Sequence, residues 1–487
     1  MNIHYLSKSK MLSGLQCPKR LYLEVHHPEL IEESADLQRR FTIGHLVGEM
    51  AQKLVPDGIL IEYDGGLSQA LKETRHILES SPDTPIFEAT FSHGGVLVRT
   101  DIFYKGDNGY RLVEVKNSTS VKDYHIPDCA VQAWVIESLG YPLERVELAH
   151  IDNTFVYKGD GDYQGLFHHE DVTNNILPLK EKVPGLAKNF QSMLSGDLPD
   201  IDVGDHCNDP FECPFVNHCY PEPHEYPVSI LPRGGKVVDE LLDEGIEDIR
   251  DIPEGRLTNL KHEKVRRVTV NGKPEIDPEI STYLKDLSYP RYYLDFEALM
   301  TPIPIWPGTR PYQTHLPYQW SCHIEEQLGE LRHEEYLDVT EENPMRPLAE
   351  KLMSILGDKG PIFVYSSFEN TVLNRLGEFF PDLLSKLNKI KNRLVDLLPL
   401  AREYYYHPEM KGSWSIKSVL PTVAPKLNYS DLEEVQKGMG AQMAYLEAIN
   451  PETSESRREE LIERLLEYCK MDTLAMVKLV GYFQKKM

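Results

Sequence analysis

The stretch Cys207–Tyr220, CNDPFECPFVNHCY, constrains this chain more than any other. Three of the seven cysteines, Cys207, Cys213 and Cys219, recur there at a spacing of six, and Pro210 and Pro214 keep the run out of regular helix. A fourth, Cys17, stands near the N-terminus in the phrase LQCPKRLYL. Soft ligands in this number suit an iron–sulfur cluster or zinc. Structural zinc sites favour short CxxC knuckles, so the wider spacing leans toward iron–sulfur. With Cys17 completing the set, one group clasps the start of the chain to a point about two hundred residues on. Everything between then forms one domain, and everything after is another. Cys129, Cys322 and Cys469 are isolated and read as buried small hydrophobes.

At 487 residues the chain has room for two or three domains. No apolar run approaches the roughly 18 residues needed to span a bilayer. The first residues carry no apolar signal segment, so the expectation is a cytoplasmic protein with no membrane association and no disulfide framework. A net charge of −25 excludes a protein held on nucleic acid by bulk charge. It leaves open an enzyme whose carboxylate-bound metal ions and local basic stripes supply the attraction. Two such stripes are LKHEKVRRVTVNGK (260–273) and KLNKIKNR (386–393).

Residues 86–116 read as strands: IFEATFS, GVLVRTDIFYKG and YRLVEVKNS, with glycine-containing turns between them. Period-two geometry puts Glu114 and Lys116 on one face of the last strand, and a hairpin brings Asp101 alongside. Two carboxylates and the Val115 carbonyl make a hard oxygen site suited to Mg²⁺ or Mn²⁺. Lys116 can orient an attacking water or stabilise charge on a scissile phosphate. Gln132, on the helix DYHIPDCAVQAWVIESLG, steadies this set, and Glu88 is a further strand acid that can face it. His45 lies on an earlier amphipathic helix.

Together, His45, Asp101, Glu114-Val115-Lys116 and Gln132, framed by Cys17 and the later three cysteines, resemble the iron–sulfur branch of the PD-(D/E)XK nucleases, the RecB-like family. The resemblance implies His45, Asp101, Glu114 and the Val115 carbonyl as metal ligands and Lys116 as the catalytic lysine. It also implies a 4Fe–4S cluster on Cys17, Cys207, Cys213 and Cys219. Where the family has Q-x-x-x-Y on the last helix, this chain has Ile136 four residues after Gln132.

From about Tyr220 to Tyr289 a proline-rich link leads into short helical patterns, a connector that either grips nucleic acid through Lys264, Arg266 and Arg267 or serves as a spacer. The second half opens on SYPRYYLDFEAL, where Asp295 and Glu297 share a strand face. Glu369 follows at a strand–helix junction, and Asp396 reads as a helix N-cap. Tyr468 and Asp472 stand at i and i+4 on the last long helix and share a face. This order resembles the DEDD exonucleases of the DnaQ class, on a ribonuclease-H-like fold, in the variant with tyrosine at the last motif. The resemblance implies two Mg²⁺ ions roughly 4 Å apart on such carboxylates, with Glu369 as the second-motif acid and Tyr468 positioning the water. The family norm at that second motif is aspartate.

The expected fold is α/β: a restriction-endonuclease-like domain with an iron–sulfur cluster (1–225), a helical connector (226–288) and a ribonuclease-H-like domain (289–487). The whole chain resembles a bacterial family joining these two halves. The expected activity is phosphodiester hydrolysis on nucleic acid, DNA more than RNA, with a second 3′→5′ exonuclease site. The rivals are a scaffold that binds nucleic acid or a protein without cutting, and an RNA-processing exonuclease.

Overall fold

A computed structural model describes residues 5–32, 35–220, 224–427 and 440–485. It is mixed α/β, and the chain divides into two compact units. Unit 1 comprises residues 1–221 with the segment 301–312, and unit 2 comprises 222–300 with 313–487. Among the described residues no helix is long and apolar enough to cross a membrane.

Unit 1 is built on seven strands: β1 (Leu6–Ser7), β2 (Ile59–Leu60), β3 (Ile86–His93), β4 (Val96–Lys105), β5 (Tyr110–Lys116), β6 (Leu143–Ile151) and β7 (Phe167–Asp171). The sheet runs β2-β3-β4-β5-β6-β7, with β1 paired to β4. β3, β4 and β5 form an antiparallel meander, and β6 lies parallel to β5. That parallel pairing requires a crossover, supplied by α5 (Ile126–Ser138), which buries an apolar face on the sheet through Val131, Val135 and Ile136. Earlier come α1 (Lys8–Gln16), α2 (Pro18–His26), α3 (Ala35–Lys53) and α4 (Leu67–Ser80). β6 ends at Ile151, where Asp152 starts a turn, and β7 was not read in the sequence. Four of the five β7 residues are exposed (FHHED), so it lacks the apolar alternation that marks a strand.

Unit 2 holds β8 (Glu275–Ile276), β9 (Arg291–Leu299), β10 (Leu316–Gln327), β11 (Glu330–Leu337), β12 (Ile362–Val364), β13 (Leu394–Asp396) and β14 (Tyr405–Tyr406). Five of them form a sheet in the order β11-β10-β9-β12-β13. β9, β10 and β11 are antiparallel neighbours, whereas β12 runs parallel to both β9 and β13. A long helix, Glu455–Lys485, packs across β9 and β10. The connector helices are not a separate body. Leu241, Val265 and Ile280 share one core with Tyr293, Phe363, Met476 and Phe483. Its basic residues are engaged internally: Arg267 pairs with Glu275 (2.7 Å), Arg266 with Glu263 (2.7 Å), and the Lys264 ammonium donates to the Glu403 carbonyl (2.5 Å).

Candidate functional site

Register builds the unit 1 centre. Ile102 faces Val113 across the β4–β5 pair, which sets Asp101 opposite Glu114. On the other side Phe87 faces Ile102 and Ala89 faces Thr100, which sets Glu88 opposite Asp101. Glu88 takes φ +56°, a left-handed conformation that costs a non-glycine residue about 1–3 kcal/mol. Its carboxylate pairs with Arg99 (3.3 Å).

Around Glu114, which is 2% exposed, four groups converge. The Lys116 ammonium lies 2.7 Å from its Oε1 and 2.5 Å from Asp128 Oδ2. Lys8, in the first turn of α1, lies 2.9 Å from Glu114 Oε1 and 3.2 Å from Asp128 Oδ1. Gln132 Nε2 donates to Glu114 Oε2 (2.7 Å), and the Val115 amide donates to Asp101 Oδ2 (2.6 Å). Burial and then the Glu114 charge push Asp101 up to about 7. Burial would lower both lysines, but the Asp128 and Glu114 carboxylates outweigh it and hold them above their usual value. Burial would raise Asp128, yet Lys116 and Lys8 hold it well below the usual carboxylate range.

Asp101, Glu114, Lys116 and Gln132 are therefore brought together, Val115 meets Asp101 through its amide, and His45 stands apart from their hydrogen bonds. The buried face of α3 is set by Val47 and Ala51, and His45 stands about 200° round the helix from Val47. Its imidazole is exposed and pairs with Glu49 (3.1 Å), and among the described residues it joins no group of three ligand atoms. Lys8 and Asp128 were missed. Asp128 is one helical turn before Gln132, the i, i+4 spacing that signals a shared face, whereas nothing local to Lys8 points across the fold.

The four cysteines Cys17, Cys207, Cys213 and Cys219 line one cavity with Lys19 and Arg20. Cys17 ends α1 and begins α2 in extended backbone, with Pro18 opening the second helix. Gln16 Nε2 ties this junction to the carbonyls of His206 and Phe211 (both 2.7 Å), and the Cys213 amide donates to the Cys207 carbonyl (2.8 Å). No three of these sulfurs lie within 4.8 Å of one another. Tetrahedral zinc at 2.3 Å would require sulfurs ~3.8 Å apart.

The unit 2 centre lies on β9. Asp295 and Glu297 project from one face toward the helix Glu455–Lys485, which carries Tyr468, Cys469 and Asp472. Asp295, Glu297 and Cys469 form the one group of three ligand atoms within 4.8 Å of one another among the described residues. Glu369, in the first turn of the helix Phe368–Phe379, is 2% exposed and hydrogen-bonds Asp295, while its Oε2 has no partner. Burial, with the Asp472 charge, pushes Glu297 up to about 8. Burial also takes Glu369 to about 8, and burial with Asp472 and Glu369 raises Asp295 well above its usual value. Tyr468 is held protonated by burial and the same acids.

Asp396 caps the helix Leu397–Tyr404 through the Leu398 amide (2.9 Å) and accepts from the Ser366 amide (3.0 Å). Cys469 and Lys417 were missed as members of this centre. The Cys469 thiol donates to Asp295 Oδ2 (3.6 Å), and burial and the acids raise it well above the usual thiol range. Lys417 stands over the Tyr468 ring (5.2 Å) and lowers Glu297.

Residues 292–415 match the model of a family described as a domain of unknown function (DUF2779). That stretch contains Asp295, Glu297, Glu369 and Asp396 and ends before Tyr468 and Asp472. No curated protein matches the chain. Among solved structures, a chain described as "Crystal structure of SSO0001" aligns with 38% of this chain and 78% of its own at 14% identity, with a TM-score of 0.20. A superposition that loose carries no argument about fold or activity.

Proposed function

We propose that this chain is a metal-dependent nuclease with two centres, acting on nucleic acid and on single-stranded DNA in preference to RNA. The observation that carries the reading is the unit 2 centre, where Asp295, Glu297, Glu369 and Asp472 act on one another and Lys417 acts on Glu297. Buried negative charge in such surplus is costly unless cations meet it. The unpartnered Glu369 Oε2 and an oxygen-rich donor set fit hard divalent ions such as Mg²⁺ or Mn²⁺. Ions held there supply an activated water and neutralise charge on the scissile phosphate. Tyr468 keeps its proton and can donate a hydrogen bond to the attacking water, and Lys417 adds positive charge beside the phosphate.

The strand order β11-β10-β9-β12-β13, an antiparallel meander followed by two parallel strands, supports the ribonuclease-H-like reading of unit 2. The meander β3-β4-β5, the crossover α5 and the parallel β6 support a restriction-endonuclease-like core in unit 1. There Asp101, Glu114 and the Val115 carbonyl would hold a divalent ion, Lys116 would stabilise charge on the phosphate, and Gln132 fixes the Glu114 carboxylate. The cysteine quartet suits a 4Fe–4S cluster that pins the N-terminal helices to the end of unit 1. One observation favours a narrower role for unit 1. Lys8 and Lys116 already balance Glu114 and Asp128, which suits a centre that grips nucleic acid without cutting it.

The test is digestion of matched end-labelled single-stranded DNA and RNA by anaerobically purified protein with Mn²⁺ or Mg²⁺. Metal-dependent shortening, faster on DNA, is expected. Faster loss of RNA would reverse the substrate preference, and no cleavage of either polymer would overturn the nuclease reading. Lys116→Ala separates the two roles of unit 1: loss of a product set assigns it cleavage, and an unchanged product set with weaker binding assigns it a grip.

A further inference from the structure

Unit 2 contains a cleft of about 840 Å³ at the opposite end of β9 from Glu297, within the range of small-molecule sites. Its lining includes Arg291, the first residue of β9, which is 1% exposed. One guanidinium nitrogen, Nη2, donates to the carbonyls of Leu284 (2.8 Å) and Leu287 (2.7 Å). The other two, Nε and Nη1, are buried without a partner. Arginine is always charged, and leaving two of its donors unpaired away from water costs more than leaving a neutral amide so. The nearest acid by register, Glu325 on β10, makes no ion pair with it. Glu325 is occupied instead by the Tyr293 hydroxyl (3.1 Å) and the Gly329 amide (3.2 Å).

Three exposed lysines, Lys285, Lys478 and Lys485, stand round the same cleft. Among the described residues, Glu325 is the only acid in its lining, so four cations face one carboxylate there. One wall is apolar, formed by Val423, Ala424 and Val477, and the Tyr289 ring lies against the guanidinium (4.2 Å). A concave site with a buried guanidinium, a basic rim and an apolar wall matches an anion joined to a flat, apolar body.

We propose that this cleft binds a phosphate ester of nucleotide size, its phosphate meeting Arg291 and the three lysines and its ring lying on the apolar wall. Glu325 keeps one further acceptor position on each oxygen for a ligand hydroxyl or amine. The same chemistry can come from a free mononucleotide or from a nucleotide within a strand. The inference stands apart from the nuclease reading, since binding is measured in EDTA, where no cleavage is expected.

The experiment is equilibrium dialysis of the full chain in EDTA against adenosine 5′-monophosphate, adenosine, and a short oligodeoxyadenylate. One site per chain for the monophosphate or the oligomer, with adenosine bound more weakly, is the expected result, and the tighter of the two names the source. Charge reversal at the exposed positions, Lys478→Glu with Lys485→Glu, is expected to weaken binding about tenfold while leaving the melting temperature unchanged. Because Arg291 also ties down two carbonyls, these surface variants carry the test and Arg291→Lys supplements it. Adenosine binding as well as the monophosphate, no binding of either phosphate ester, or binding untouched by both reversals would overturn the proposal.

Discussion

Charge balance at single residues separates the two centres. In unit 2, Glu297 and Glu369 keep their protons up to about pH 8, whereas an unfolded glutamate loses its proton near about 4.3. Between those values the folded chain binds more protons than the unfolded one, so stability falls as pH rises from about 4.5 to about 8. Melting curves in EDTA are expected to show this decline, and Mn²⁺ is expected to flatten it by replacing the protons. A melting temperature independent of pH in EDTA would contradict it. Glu297→Gln removes one of the opposed acids and should raise the metal-free melting temperature at pH 8 by about 2–4 °C, the equivalent of ~1 kcal/mol in a unit of this size. In unit 1 the sign is reversed. Lys8→Met leaves Glu114 and Asp128 short of a cation in a buried setting and should cost about 3 kcal/mol, read from the urea midpoint. A shift below about 0.5 kcal/mol would mean that Lys8 is a solvated surface lysine.

Elements fix where these side chains point. The helix Glu455–Lys485 is registered on the sheet by Thr473, fully buried, whose hydroxyl lies 2.8 Å from Ser321 Oγ and 2.8 Å from His323 Nδ1. Asp472 is the preceding residue, so the same contacts hold its position. Thr473→Val keeps the shape, strands the His323 nitrogen, and should cost about 1–3 kcal/mol by chemical denaturation. A neutral effect would show that packing alone sets the helix. This level of structure was the most legible in the sequence. Period-two alternation marked β3, β4 and β5 and put Asp101 beside Glu114, and the i, i+4 spacing put Tyr468 and Asp472 on one face. Lys8, Cys469 and Lys417 were not legible, because each reaches its centre through tertiary packing that leaves no local pattern. His45, which the resemblance implies as a ligand, is exposed and pairs with Glu49, and its charge acts on Glu88.

On the scale of the whole molecule, the composition says little and the division into two units says more. Four acids act on one another in the unit 2 centre, while cysteines from near both ends of residues 1–221 line one cavity in unit 1. The connector was legible as helical, but sharing a core with β9 and β12 is a long-range fact that no local pattern carries. If the cysteines hold an iron–sulfur cluster, Cys207→Ser should remove bound iron and absorbance at about 400 nm, whereas Lys116→Ala should leave both intact. A colourless wild type containing zinc would contradict the cluster.

The most direct measurement is the release of mononucleotides from the 3′ end of 5′-labelled single-stranded DNA in Mn²⁺, comparing wild type with Asp295→Asn. The account predicts a metal-dependent ladder from the wild type. The variant should lose at least about a hundredfold in rate, the scale of removing a group that stabilises transition-state charge. An unchanged ladder from Asp295→Asn would contradict the assignment of the buried carboxylates as the cutting centre.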